Sequence, residues 1–233
     1  PYAGAVASTG GTLGIMIPPS NPMIIYAVVA NVSVTGMFTA GIIPGLMVGG
    51  ILIIASWWIC KQKGFLGHTN IASSKDILYS IINARWALSA PVVILGGIYS
   101  GIFTPTEASV VAVNYALFVG LVIYRELDLK KIYAALLQAI LVGGTVTIMV
   151  GLAGTFGRIL TQFQIPQQLS SYILDLSLNW FVILMIINIA LIIIGTFMET
   201  LATIILLTPL LLPVVTALGI SPIHFGILIV ITS

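Results

Sequence analysis

Two short stretches place polar and helix-breaking residues inside apolar sequence. The first is Gly10-Gly11-Thr12-Leu13-Gly14-Ile15-Met16-Ile17-Pro18-Pro19-Ser20-Asn21-Pro22. The second is Gly195-Thr196-Phe197-Met198-Glu199-Thr200. Proline has no N–H and its ring clashes with the preceding turn, so Pro18, Pro19 and Pro22 predict that no helix runs through the first stretch; Gly10, Gly11 and Gly14 add backbone freedom. A broken helix frees carbonyl oxygens that an intact helix keeps occupied, and these suit a hard cation such as Na⁺. N–H groups at the start of the next half-helix suit a carboxylate. The candidate Na⁺ ligands are therefore the backbones of Gly10, Gly14 and Ile17 in the first stretch and of Gly195, Thr196 and Met198 in the second. Thr12, Ser20, Asn21 and Thr200 are the candidate substrate contacts. This is the chemistry of binding an ion and an acid, with no covalent step.

Three charged residues and one histidine compete for roles around these stretches. Glu199 is the only acid in a long apolar run, and a carboxylate at membrane depth is functional or paired by default. It can bind a cation, relay a proton or cap the helix that follows; both the coupling role and the structural cap stand at this point. Glu107 follows Thr104-Pro105-Thr106, the pattern of a capped, proline-initiated helix, which favours a structural role. Arg158 is the lone cation of its region and can attract an anion or snorkel to the surface. His224 reads as an interfacial residue at a turn. No His, Cys or carboxylate cluster has metal-ligand spacing, and no phosphate loop or nucleophile constellation is present, so the residues do not point to an enzyme.

These stretches need membrane helices to position them. The chain has 233 residues, 59% hydrophobic and only 6% charged, against about 25% charged in a soluble domain. That composition predicts an all-α polytopic membrane protein. A net charge of +2 gives no reason to expect nucleic acid. The single cysteine, Cys60, excludes an intrachain disulfide. The arms flanking the first break, Ala3 to Gly14 and Met23 to Val34, are each shorter than the roughly 20 residues that cross a bilayer, which is the pattern of a broken helix. Met37 to Cys60 is a full span containing Pro44-Gly45 and ending in the interfacial pair Trp57-Trp58. Lys61 to Ser74 is polar and includes His68. Ser74 is placed to cap an amphipathic surface helix from Lys75 to about Ala90. Trp86 to Phe103 and Ala108 to Tyr124 are spans separated by Thr104 to Glu107. Ile132 to Phe156 is a further span, and Pro166 starts a surface helix. Trp180 to Val215 is the second broken stretch; its arms are short for two crossings, so a re-entrant hairpin is expected. Gly219 to His224 forms a turn before a last helix. Pro1 falls within a motif and Ser233 within an apolar run, so the sequence reads as an internal segment of a longer transporter. Lys61, Lys63 and Lys75 on one loop, with Arg125, Lys130 and Lys131 on another, mark the cytoplasmic side.

Three motifs carry a family resemblance. Gly10 to Ser20, Phe103-Thr104-Pro105-Thr106-Glu107-Ala108, and Gly195 to Thr200 followed by Pro209, Pro213 and Gly219 to Gly226 are similar to hallmarks of the large membrane (M) subunit of TRAP, the tripartite ATP-independent periplasmic transporters. The match runs along the whole chain in order. The resemblance implies an elevator-type transporter of inverted repeats, each with a re-entrant hairpin and a broken helix. It implies that residues 1–34 are the broken helix of transport-domain repeat one, and that 35–138 hold scaffold spans with amphipathic arm helices at 75–90 and 127–138. Residues 139–233 would then form repeat two, with its hairpin at about 180–215. It further implies a Na⁺-coupled importer of an organic acid, sialic acid or a C4-dicarboxylate, in the bacterial inner (cytoplasmic) membrane. The implied partners are a small membrane (Q) subunit and a periplasmic substrate-binding protein (P). The competing expectation is a proton-coupled organic anion transporter that uses Glu199 and needs no soluble partner.

Overall fold

The computed structural model describes residues 2–65, 73–175 and 179–232, and among these the only regular structure is helical. In chain order the helices are α1 (Tyr2–Met16), α2 (Asn21–Val29), α3 (Val34–Lys63), α4 (Ser74–Asn83), α5 (Arg85–Tyr99), α6 (Pro105–Phe118), α7 (Leu129–Gln162), α8 (Ile165–Asp175), α9 (Trp180–Gly195), α10 (Thr200–Ala217) and α11 (Pro222–Thr232). Five stretches are long and apolar enough to cross a membrane: Tyr2–Val29 with its break, Val34–Lys63, Pro105–Ile123, Leu129–Gln162 and Thr200–Ala217. The chain is thus an α-helical, polytopic membrane protein.

The structure moves several expected boundaries. α1 runs straight through Gly10, Gly11 and Gly14, and the first break is confined to residues 17–20. Glycine inside a helix costs only about 1 kcal/mol relative to alanine, whereas proline costs about 3 kcal/mol, so the prolines alone set the break. Pro22 stands in the first turn of α2, where its missing N–H would have had no partner. The second arm is also shorter than expected: α2 ends at Val29, and Asn31 turns the chain with φ 54°.

Elsewhere Ser73, not Ser74, caps α4. Its amide donates to Asp76 Oδ2 at 3.1 Å in a capping box. The surface helix stops at Asn83 and does not reach Ala90; α5 departs from it at 64°. The expected arm at 127–138 is not a separate helix, because α7 begins at Leu129 and continues into the span. No proline or glycine interrupts residues 129–142, so nothing in the sequence separates arm from span. α11 begins at Pro222, which puts His224 in a helix and not in a turn. His68 lies outside the described residues.

Two compact units result: Pro1–Gly11 with Leu46–Leu136, and Thr12–Gly45 with Leu137–Ser233. In the first unit α5 and α6 form a hairpin. The Tyr115 hydroxyl meets Ser89 Oγ at 2.5 Å and lies 2.8 Å from the Trp86 carbonyl. α6 ends in a π-helical turn, Val119–Ile123, where the Tyr124 N–H reaches back to the Val119 carbonyl at 2.9 Å.

The second unit holds both breaks. α10 packs on α2, α8, α9 and α11, and α11 also packs on α2 and α9. Its centre is Tyr26, Met23, Phe38, Phe225, Ile204 and Val215, all buried. The Tyr26 ring meets Phe225 edge-on at 6.4 Å, and its hydroxyl donates to the Pro222 carbonyl at 2.6 Å. Gly226 is required here, because a Cβ on it would occupy the Tyr26 ring. Gly41 also lies close to its neighbours: a Cβ there would stand 2.5 Å from the Met23 methyl and 3.1 Å from the Met16 carbonyl, so the methionine would have to shift.

Candidate ion and substrate site

The first break is held from inside. Ile17 N–H closes the last turn on the Leu13 carbonyl at 2.8 Å, and the Pro18–Pro19 bond is cis. Ser20 is 1% exposed and caps α2. Its hydroxyl donates to the Ile15 carbonyl and accepts from the Met23 N–H at 3.4 Å. One side chain thus ties the end of α1 to the start of α2, which fixes the gap between them. Asn21 and Ile17 are exposed at this gap. Gly10, Thr12 and Gly14 lie within α1, one to two turns before it. An α-helix engages the carbonyl of residue i with the amide of i+4, so Gly10 does not share the open geometry of residues 17–20, whereas the i+4 residue of Gly14 is Pro18, which has no N–H to offer its carbonyl.

The second break is made differently. Gly195 closes α9, Thr200 opens α10, and only residues 196–199 lie between. Thr196 N–H still reaches Ile192 and Ile193, and its hydroxyl donates to the Ile193 carbonyl at 2.6 Å. Met198 N–H reaches the Ile194 carbonyl at 3.0 Å. Glu199 then adopts an extended conformation, and its carboxylate accepts from the Ala202 N–H at 3.1 Å. Its carbonyl accepts from both the amide and the hydroxyl of Thr203, at 3.0 and 3.2 Å. Glu199 is thus the N-cap of α10, with a carboxylate at the positive end of the helix. It also borders a cavity of about 400 Å³ against Thr145 and Met149 of α7.

Both breaks belong to one compact unit, and the helices that follow them, α2 and α10, pack on each other. The hydrogen bonds of Ser20, Thr196 and Glu199 described above are local to each break, and the packing of α2 on α10 relates the two. Glu107 belongs to the other unit. It forms a capping box with Thr104, accepting from its amide at 2.8 Å and its hydroxyl at 2.9 Å. That geometry is the structural role the Thr-Pro-Thr-Glu pattern favours.

Two polar groups escaped the reading of the sequence. Thr208 Oγ1 and Asn188 Oδ1 are buried and have no hydrogen-bond partner among the described residues. Asn188 is the one amide in apolar α9 and Thr208 precedes Pro209 in α10. A polar residue inside a membrane helix is itself a signal, and by that rule both could have been marked.

Comparison with known proteins gives the family. Residues 1–233 match the family described as tripartite ATP-independent periplasmic transporter, DctM component. The chain is 41% identical over 230 residues to a sialic acid TRAP transporter large permease protein, SiaM, of Vibrio cholerae, covering 99% of this chain and 54% of that protein. It is 40% identical over 234 residues to a C4-dicarboxylate TRAP transporter large permease protein, DctM, of Pseudomonas aeruginosa, covering 99% and 54%. It is also 40% identical over 230 residues to an isethionate TRAP transporter permease protein, DctMQ, of Oleidesulfovibrio alaskensis, covering 99% and 36%. The chain therefore spans about half, or less, of the length of these relatives. Its full-length match and these identities place it in a group of transporter permeases, not enzymes: the chain belongs to the DctM family of tripartite ATP-independent periplasmic transporters.

Proposed function

We propose that this chain is part of the large permease of a Na⁺-coupled importer in the bacterial inner membrane. The importer takes up an organic acid, of the sialic acid or C4-dicarboxylate type, from a periplasmic binding protein and works with a small membrane (Q) subunit. The observation that carries the reading is the pair of helix breaks in one packed unit of a DctM-family chain. The relatives named above are described as permeases for sialic acid, a C4-dicarboxylate and isethionate. All three are organic anions, and a helix N-terminus beside a break offers the N–H groups that such an anion needs.

In this mechanism Na⁺ binds backbone oxygens at residues 17–20 and 195–199 and orders the two gaps, and the ordered gaps then admit the acid. The unit holding both breaks moves as an elevator, with binding energy as the only coupling. Uptake into proteoliposomes tests this, using the full-length permease, its small subunit and the cognate binding protein. Uptake of radiolabelled sialic acid or succinate is expected only with an inward Na⁺ gradient and with the binding protein present. Uptake at full rate with choline in place of Na⁺ would sink the proposal. The rival reading, a proton relay through Glu199, predicts uptake driven by a proton gradient alone and without the soluble protein.

A further inference from the structure

The face of α7 formed by Val150, Ala153, Gly154, Gly157 and Thr161 recurs at three- and four-residue intervals, so these residues share one stripe. The stripe is made of small residues. Against it stand Val28 and Val29 at the end of α2, and Ile205 and Pro209 of α10. Together they enclose an open, mostly apolar cleft of about 620 Å³, within the size range of ligand pockets. All of it lies within one compact unit. Its polar groups collect at one end: Arg158, Thr161 and Gln162. Among the described side chains no ion pair reaches Arg158, and Thr161 turns its hydroxyl to the Gly157 carbonyl at 2.8 Å.

Length settles what fits. Residues 132–157 contain no Asp, Glu, Lys or Arg and, as helix, extend about 39 Å. The hydrocarbon core of a bilayer is about 30 Å thick. A bilayer centred on this stretch would put Lys131 and Arg158 near its two headgroup levels. From Val150 to Thr161 the cleft follows α7 for about 17 Å, close to the depth of one leaflet, about 15 Å. A small hydrophilic acid would face its hydroxyls to apolar walls, at the cost of unpaired polar groups. An acyl chain with an acidic headgroup matches both the walls and the charge.

We propose that this cleft binds one anionic lipid, its headgroup on Arg158 and Gln162 and one acyl chain along the Ala153–Gly157 stripe. The lipid would join α7 to α2 and α10 and brace the helices that follow both breaks.

The test uses the full-length permease, purified in detergent and examined by native mass spectrometry. The additions are phosphatidylglycerol, phosphatidylcholine or succinate. The wild type is expected to retain one phosphatidylglycerol in preference to phosphatidylcholine. Arg158→Gln should lower that retention about fivefold, the worth of one cation near a membrane surface, and Arg158→Lys should restore most of it. Gly154→Leu should lower retention of both lipids by filling the cleft; a Cβ at Gly154 meets nothing within 4 Å, so the fold accommodates it. An unchanged melting temperature in lipid-free detergent confirms folding of each variant. Equal phosphatidylglycerol retention by wild type and Arg158→Gln overturns the proposal. So does Arg158-dependent retention of succinate without lipid, which would make the cleft a site for a free acid.

Discussion

The two helix breaks interrupt membrane helices by opposite means. Residues 17–20 are broken by covalent geometry: two prolines remove N–H groups, and a buried serine ties the ends together. Residues 196–199 contain no proline and are broken by a cap, the Glu199 carboxylate at the start of α10. Ser20 is 1% exposed at the first break, while Phe197 is 87% exposed at the second. A proline break persists whatever surrounds it. A cap break depends on one hydrogen-bonded carboxylate and its surroundings. The first thus holds a fixed geometry, and the second is the more easily remade.

The contrast can be broken most severely at the prolines. In a Pro18→Ala, Pro19→Ala variant each substitution removes about 3 kcal/mol of opposition to a continuous helix. Uptake by the reconstituted full-length system should then fall to background while the protein stays membrane-inserted. Undiminished uptake would show that the first break is dispensable. Thiol labelling sharpens the difference in exposure. In a background free of other reactive cysteines, Phe197→Cys should label quickly and Ser20→Cys slowly, and comparable rates would erase the distinction.

Smaller effects separate the two caps. Ser20→Ala leaves the buried Met23 N–H without its acceptor and should cost about 1–2 kcal/mol, read as a lower melting temperature. Glu199→Ala, at an exposed cap that water can replace, should cost about 0.5–1 kcal/mol. Glu199→Gln should recover most of that, because the amide oxygen can accept from the same Ala202 N–H. If Glu199→Gln instead abolishes a pH dependence of uptake while Na⁺ dependence remains, the carboxylate is a relay as well as a cap. Thr196→Ala, which removes only a bond to its own helix, should change stability by less than about 0.5 kcal/mol.

What the sequence made legible was local. The Thr104–Glu107 capping box, the proline break and the long apolar spans are each written within a few residues, so residue type and spacing were enough to find them. The start of the first break was misplaced because Gly10, Gly11 and Gly14 resemble breakers but are tolerated within a helix for a modest cost. α7 runs unbroken across the expected boundary between arm and span, because amphipathic and apolar helix join there without a breaker. The pairing of α2 with α10 and α11 was not legible at all. It joins residues nearly 200 positions apart, as in the 196-residue separation of Tyr26 and Pro222, and no local pattern encodes such a contact. Thr208 and Asn188 were visible as polar residues in apolar sequence, but only packing reveals that they are buried and, among the described residues, unpartnered.

The Tyr26–Gly226 contact has an evolutionary corollary. The ring fills the space a side chain at 226 would need, and its hydroxyl is committed to Pro222. Position 226 cannot gain a side chain while the ring is in place. A mutational path that places alanine at 226 must first shrink residue 26, and a protein lacking the tyrosine would be released from glycine at 226. Positions 26 and 226 are thus expected to covary as a reciprocal size pair through the descent of this fold, a single constraint shared by the two ends of the chain.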